Sequence, residues 1–193
     1  MTVTIFRKEN NEIRKGKNML LEFLVTLDGK ILLLIQEFLR FDWLSKLMKV
    51  ITMLGDAGVI WIILAFILLC TKKYRKTGTV MAVALVTGYM ITNLFLKNLV
   101  MRPRPYEVVE GLESVIGVVK GSSFPSGHTT SSIAAGFVMF QNMKNYVGIL
   151  SFSLAILISF SRLYLGVHYP TDVLMGVVVG IFSAYFAKHM TKS

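Results

Sequence analysis

At 193 residues, 54% hydrophobic and only 17% charged, the chain is too apolar for an ordinary soluble domain and reads as a single membrane domain. A formal charge of +10 in such a chain reports topology and lipid contact, and no nucleic-acid-binding pattern accompanies it, so membrane lipids and not nucleic acid are the expected partners. The lone cysteine, Cys70, excludes an intramolecular disulfide and a cysteine-based metal site.

Residues 1–18 are polar and basic and read as a mobile N-terminus. No small-residue cleavage site follows a clean apolar core, so insertion is expected to use internal helices. Over 19–56 apolar residues cluster at 31–35, Phe38, Leu39, Trp43, Leu44, Leu47, Met48 and Ile51, but Glu22, Asp28, Lys30, Glu37 and Arg40 interrupt them. A charge at a helix centre costs about 2.5–3.5 kcal/mol on insertion. This stretch is therefore expected to lie at the interface as an amphipathic segment.

From residue 57 the pattern is cleaner. Apolar runs at 57–71, 77–96, 129–143, 145–161 and 173–187 read as five crossings within a membrane domain over 57–188. The expected fold is an all-α integral membrane helical bundle of five transmembrane helices, or six if 19–39 also crosses, preceded by the interfacial segment. The connections at 71–78 and 141–145 and the tail 188–193 carry seven basic residues and no acidic one. The opposite connections, 97–128 and 162–172, carry five basic and four acidic residues. The positive-inside rule puts the first set in the cytoplasm and the second outside. Five crossings then leave the basic N-terminus outside, against the same rule. A sixth would restore it at the cost of burying charge.

Three strings concentrate the chemistry on the outward side: KNLVMRPRP (97–105), FPSGH (124–128) and SRLYLGVHYPTD (161–172). Five alternating crossings bring all three to one face. Pro125 and Pro170 suit the first turn of a helix, and two helix N-termini there would offer free amides to an anion. Gly127 permits close backbone approach. Lys97, Arg104 and Arg162 add positive charge, and arginine grips phosphate oxygens bidentately. His168 and Asp172, four apart, can place a carboxylate on one imidazole nitrogen and leave the other free to attack phosphorus. His128, from another helix, is then available to protonate the leaving oxygen. No Asp/Glu cluster or metal motif is visible, so no cofactor is expected and the protein's own cations must stabilise the transition state.

These residues resemble the type 2 phosphatidic acid phosphatase family, which shares its site with vanadium haloperoxidases. Its signature is Lys-x6-Arg-Pro, then Pro-Ser-Gly-His, then Ser-Arg-x5-His-x3-Asp. Lys97 to Arg104-Pro105, Pro125 to His128, and Ser161-Arg162 with His168 and Asp172 match every position. The resemblance covers about residues 54–188. It implies a phosphohistidine on His168, oriented by Asp172, and leaving-group protonation by His128. It also implies phosphate binding by Lys97, Arg104, Ser126, Gly127 and Arg162, without metal. The implied substrate is a membrane lipid phosphate. Undecaprenyl diphosphate leads by analogy with small outward-facing enzymes that recycle the cell-wall carrier, and phosphatidylglycerophosphate or phosphatidic acid are the alternatives. A catalytically silent membrane scaffold would be signalled by a lost motif residue, and none is lost. Other residues take plainer readings. Arg102 reads as a snorkelling anchor, because Arg104 satisfies the spacing. Ser126 can be an N-cap, and Gly166, Gly176 and Gly180 serve close helix contact.

Overall fold

The structure is a computed structural model that describes residues 24–143 and 146–191. The basic N-terminus expected over 1–18 lies outside the described residues. Every regular element among the described residues is helical. In chain order they are α1 (24–39), α2 (Asp42–Leu54), α3 (Val59–Cys70) and α4 (Arg75–Tyr89). A π-helical segment (Met90–Leu96) leads from α4 into α5 (Lys97–Val100), followed by α6 (Pro105–Val108), α7 (Gly127–Asn142), α8 (Tyr146–Tyr164) and α9 (Pro170–Met190). The all-α membrane bundle is thus observed. All five runs expected to cross are helical.

Four helical stretches are long and apolar enough to span a bilayer: Asp42–Cys70, Arg75–Val108, Tyr146–Tyr164 and Pro170–Met190. α7, with 16 residues, is about 24 Å long, short of a hydrocarbon core of about 30 Å. It is also the central helix, packed against α4, α8 and α9. Ile133, Ala134, Ala135, Val138 and Met139 of α7 are buried with Val80, Met81 and Ala84 of α4, Ala155 and Ile158 of α8, and Ala184 and Ala187 of α9. Trp61 of α3 joins them and donates its indole N–H to Ser132 Oγ at 2.9 Å, which satisfies the polar atom of the largest buried side chain.

Lipid tails are as apolar as leucine, so helices in a membrane associate through close packing of small residues. A Cβ at Gly176 would sit 2.8 Å from Thr129 Cβ, and one at Gly180 would sit 2.9 Å from Ile133 Cβ and from the Thr130 carbonyl oxygen. Overpacking of this kind costs about 1–3 kcal/mol. These two glycines let α9 lie directly on α7 beside the site, as expected. Gly166 serves differently. It turns the chain after α8 with φ +72°, under the Glu113 carbonyl and the Arg40 guanidinium.

α1 and α2 contact the bundle at the end where α8 finishes. Gln36 Nε2 donates to the Gly111 carbonyl at 2.7 Å, Arg40 Nε donates to the Tyr164 carbonyl at 3.1 Å, and Ser45 Oγ lies 2.9 Å from Tyr164 Oη. α2 buries Met48, Ile51 and Thr52 and turns Trp43, Leu47, Val50 and Met53 outward. Two successive residues with positive φ, Ala57 (49°) and Gly58 (67°), then kink the chain between α2 and α3. A non-glycine residue there costs of order 1–3 kcal/mol and persists only where its surroundings fix it.

Candidate active site

The three strings meet at one end of the bundle. Arg104 Nη1 lies 3.0 Å from His168 Nε2, the Ser126 amide donates to the Asp172 carbonyl at 3.1 Å, and Lys97 Nζ lies 3.6 Å from where a Cβ on Gly127 would be. Side chains some seventy residues apart in sequence are therefore neighbours.

Each string is presented by a specific local device. Lys97 follows the seven-residue π-helical segment, a local widening of the helix that is frequent at functional sites. Within it Thr92 Oγ1 lies 3.1 Å from Thr130 Oγ1 in the core, which fixes this stretch against α7. Ser126 is the N-cap of α7, accepting from the Thr129 amide at 3.4 Å and from Thr129 Oγ1 at 3.0 Å. Pro125 therefore sits one residue before the cap, outside the first turn, because Ser126 supplies the capping oxygen. The Gly127 and His128 amides have no intrahelical acceptor, as at any helix start, and a Cβ on Gly127 would fill the space beneath Lys97. Pro170 does occupy the first turn of its helix, with Asp172 two residues on, while His168 lies in the turn just before it.

His168 is buried and held at both ring nitrogens. Nδ1 is 2.7 Å from the Ser123 carbonyl and 3.6 Å from Asp172 Oδ2. A carbonyl only accepts and a guanidinium only donates, so Nδ1 carries the hydrogen and Nε2 presents a lone pair toward Arg104. Burial, reinforced by Arg104 and Arg162 and opposed by Asp172, lowers the His168 pKa to about 3. Asp172 is fully buried and saturated: Oδ1 accepts from Arg102 Nη1 at 2.7 Å, and Oδ2 accepts from Ser123 Oγ and, at 2.9 Å, from the Tyr169 amide.

The cations differ in what they leave free. Arg104 gives Nε to the Gly121 carbonyl (3.1 Å), Nη1 to the Val167 carbonyl (2.9 Å) and His168, and Nη2 to the Lys120 carbonyl (3.2 Å). One Nη2 hydrogen remains. Arg162 is 2% exposed, donates Nη1 to Thr52 Oγ1, and has no partner for Nε among the described residues. A buried donor without an acceptor is costly, and an anion's oxygen would satisfy it. Lys97, Arg104 and Arg162 are electrostatic neighbours, and among the described residues no carboxylate is directly paired to any of them. Together with the α7 amides they form a cradle for a polyanion.

His128 stands across the cradle, with Nε2 2.8 Å from Asp56 Oδ1 in the turn between α2 and α3. Below it an apolar groove of about 710 Å³ runs from Lys97, Gly127 and His128 between α3 and α4, past Ile62, Phe66, Leu85 and Val86 to Leu69. Sequence reasoning did not single out Asp56, Ser123 or Thr52, and it read Arg102 as an anchor. Asp56 had one available signal: a carboxylate beside the start of an apolar run.

Residues 77–193 match the family model of the PAP2 superfamily. The undecaprenyl-diphosphatase BcrC of Bacillus subtilis is 33% identical over 74% of this chain and 72% of its own length. The phosphatidylglycerophosphatase B of the same organism is 32% identical over 78% and 76%. The crystal structure of Aquifex aeolicus LpxE superposes with a TM-score of 0.74 at 25% identity, covering 83% of this chain and 93% of that one.

Proposed function

The chain belongs to the PAP2 superfamily, and from that premise we propose that it is an outward-facing lipid phosphatase of the cell membrane whose substrate is undecaprenyl diphosphate. The observation that carries a lipid substrate is the apolar groove opening from the cationic cradle at Lys97, Gly127 and His128. A phosphate head group would rest on Arg162, Lys97, the Ser126 hydroxyl and the Gly127 and His128 amides, with its tail between α3 and α4. The choice among lipids follows the two undecaprenyl-diphosphatase relatives, at 24% and 33% identity.

In this reading His168 Nε2 attacks the terminal phosphorus. The bond from that phosphorus to the bridging oxygen breaks as His128 gives the oxygen a proton, and lipid monophosphate leaves. Water then attacks the phosphohistidine, His128 takes its proton, the N–P bond breaks and inorganic phosphate departs. Arg104 and Arg162 stabilise charge on the equatorial oxygens in both steps. Asp172 steadies His168 through Ser123 as well as directly. α1 and α2 lie in the outer interface around the site.

The test is a panel of purified lipid phosphates and diphosphates assayed for released phosphate in EDTA. Undecaprenyl diphosphate should be turned over with the highest kcat/KM. Preference for phosphatidylglycerophosphate or phosphatidic acid would overturn the substrate assignment, and activity that returns only with added metal would overturn the mechanism.

A further inference from the structure

Outside the signature residues, one buried polar network ties α1 to the nucleophile. Arg102 Nη1 donates to Asp172 Oδ1 and to Thr171 Oγ1, each at 2.7 Å, and Nη2 donates to Asp28 Oδ2 at 2.8 Å. Its guanidinium lies 3.7 Å from the centre of the Tyr169 ring. Asp28, only 2% exposed, also accepts from the Thr171 amide at 3.1 Å and from Thr171 Oγ1. The Arg102 carbonyl accepts from the Ser123 amide at 2.8 Å. Ser123 in turn bonds His168 Nδ1 through its carbonyl and Asp172 Oδ2 through its hydroxyl.

The contacts close a ring: Arg102 to Asp172 to Ser123 and back to Arg102, with His168 hung on Ser123 and Asp28 bracing Arg102 from α1. A snorkelling arginine would keep its head in water. This one is forked between two carboxylates and stacked on an aromatic face, which is how arginine is used when geometry matters. We propose that Arg102, braced by Asp28, is a positioning residue for phosphoryl transfer that sets the orientation of His168 through Asp172 and Ser123, and so makes α1 a working part of the site. Arg102 is the sole side chain bonded to Asp172 Oδ1 among the described residues. Without it the carboxylate keeps only its Oδ2 bonds, to Ser123 Oγ and the Tyr169 amide, and can tilt about them, which shifts Ser123 and with it the carbonyl that holds Nδ1. A net charge of −1 over Asp28, Arg102 and Asp172 also favours the cationic ring that forms when Nε2 is phosphorylated.

The inference rests on the phosphohistidine reading, and the test separates the two. Full-length Arg102→Met, Arg102→Lys, Asp28→Asn and His168→Ala proteins are purified, and kcat, KM and inhibition by vanadate and by phosphate are measured. A misplacement of about 1 Å costs on the order of 100-fold, so Arg102→Met should lose roughly that in kcat with KM changed less than about threefold. Vanadate, which resembles the transition state, should weaken in parallel while phosphate does not. Arg102→Lys keeps the charge without the fork and should recover only part. Asp28→Asn, nearly isosteric and so less exposed to misfolding, should lose about tenfold with the same signature. Inactive His168→Ala beside Arg102 and Asp28 variants of unchanged kcat and vanadate affinity would overturn the positioning role alone. Loss in those variants through KM alone would overturn it too. Active His168→Ala would overturn the phosphohistidine reading and this inference with it.

Discussion

His168 Nε2 and Arg104 Nη1 face each other at 3.0 Å, so the nitrogen proposed to attack is held as a lone pair by a cation that is also proposed to serve the phosphate. A phosphoryl group entering the cradle would compete for that guanidinium hydrogen and release Nε2 as it does so. The remaining contacts of Arg104, to the Gly121, Val167 and Lys120 carbonyls, would keep the guanidinium in place during that exchange.

The environment of His168 makes a pH prediction with a definite sign. An imidazole free in water titrates near 6.5, and burial with Arg104 and Arg162 nearby brings this one to about 3. A lowered pKa means that the unprotonated ring persists as pH falls, and the nucleophile is lost only as pH approaches 3. A ring-NMR titration, assigned with His168→Asn, should therefore show no His168 inflection near 6.5. Arg104→Gln removes a cation that disfavours the protonated ring, so its inflection should move to higher pH. A wild-type His168 signal titrating near 6.5 would refute the assignment.

Asp56 and His128 make a second prediction. Burial and the positive field of Arg162 and Lys97 lower the His128 pKa to about 4, and the carboxylate 2.8 Å from Nε2 opposes that shift by favouring a proton on the ring. Asp56 stands directly before the two positive-φ residues, Ala57 and Gly58. If His128 is the acid, Asp56→Asn should slow hydrolysis of a lipid phosphate, whose alkoxide or phosphate must be protonated to leave. The expected loss is about 10- to 100-fold, part of the 10²–10⁴-fold that general acid catalysis contributes. Hydrolysis of p-nitrophenyl phosphate, whose phenolate leaves unaided, should change little. Equal losses on both substrates would show that Asp56 acts on folding or binding.

Arg162 supplies a third. On the proposed reading it bonds the phosphoryl oxygens through Nε, which is buried and has no partner among the described residues. Removing one such donor typically costs about 10²–10³-fold in kcat, so Arg162→Ala should lose roughly that and bind vanadate correspondingly less well. Arg162→Lys should recover little, because a point charge lacks the fork that reaches Thr52 and the anion together. Near-wild-type vanadate inhibition in Arg162→Ala would remove it from the cradle.

What was legible in the sequence follows from what each signal depends on. The five apolar runs depend only on composition, and each appears as a helix. Convergence of Lys97, His128 and His168 depends only on alternating direction, and it is observed. Contacts that depend on turn geometry were not legible. Ser123, not Asp172, makes the short bond to His168 Nδ1, because the chain before α7 folds back under the start of α9. Asp28 and Arg40 were weighed as charges that oppose insertion. Beyond the local bond from Arg40 to Gln36, their partners, Arg102, Thr171 and the Tyr164 carbonyl, lie more than sixty residues away and could not be read from local pattern. Arg102 was discounted because spacing needs only one arginine, yet both neighbours are used, one toward His168 and one toward Asp172.

Orientation gives the last prediction, and the chain carries its own control. Cys70, the sole cysteine, is exposed at the end of α3 remote from the site. Val118 is 84% exposed in the loop between α6 and α7, on the site's side. The proposed orientation, which rests on the positive-inside rule, has the Cys70 end in the cytoplasm and the site outside. In intact cells an impermeant thiol reagent should therefore leave the native protein unlabelled and label Val118→Cys in a Cys70→Ser background. Permeabilisation should expose Cys70 without increasing labelling at 118. The reverse pattern would invert the topology and place the phosphatase site on the cytoplasmic face, where a substrate delivered to the outer leaflet could not reach it.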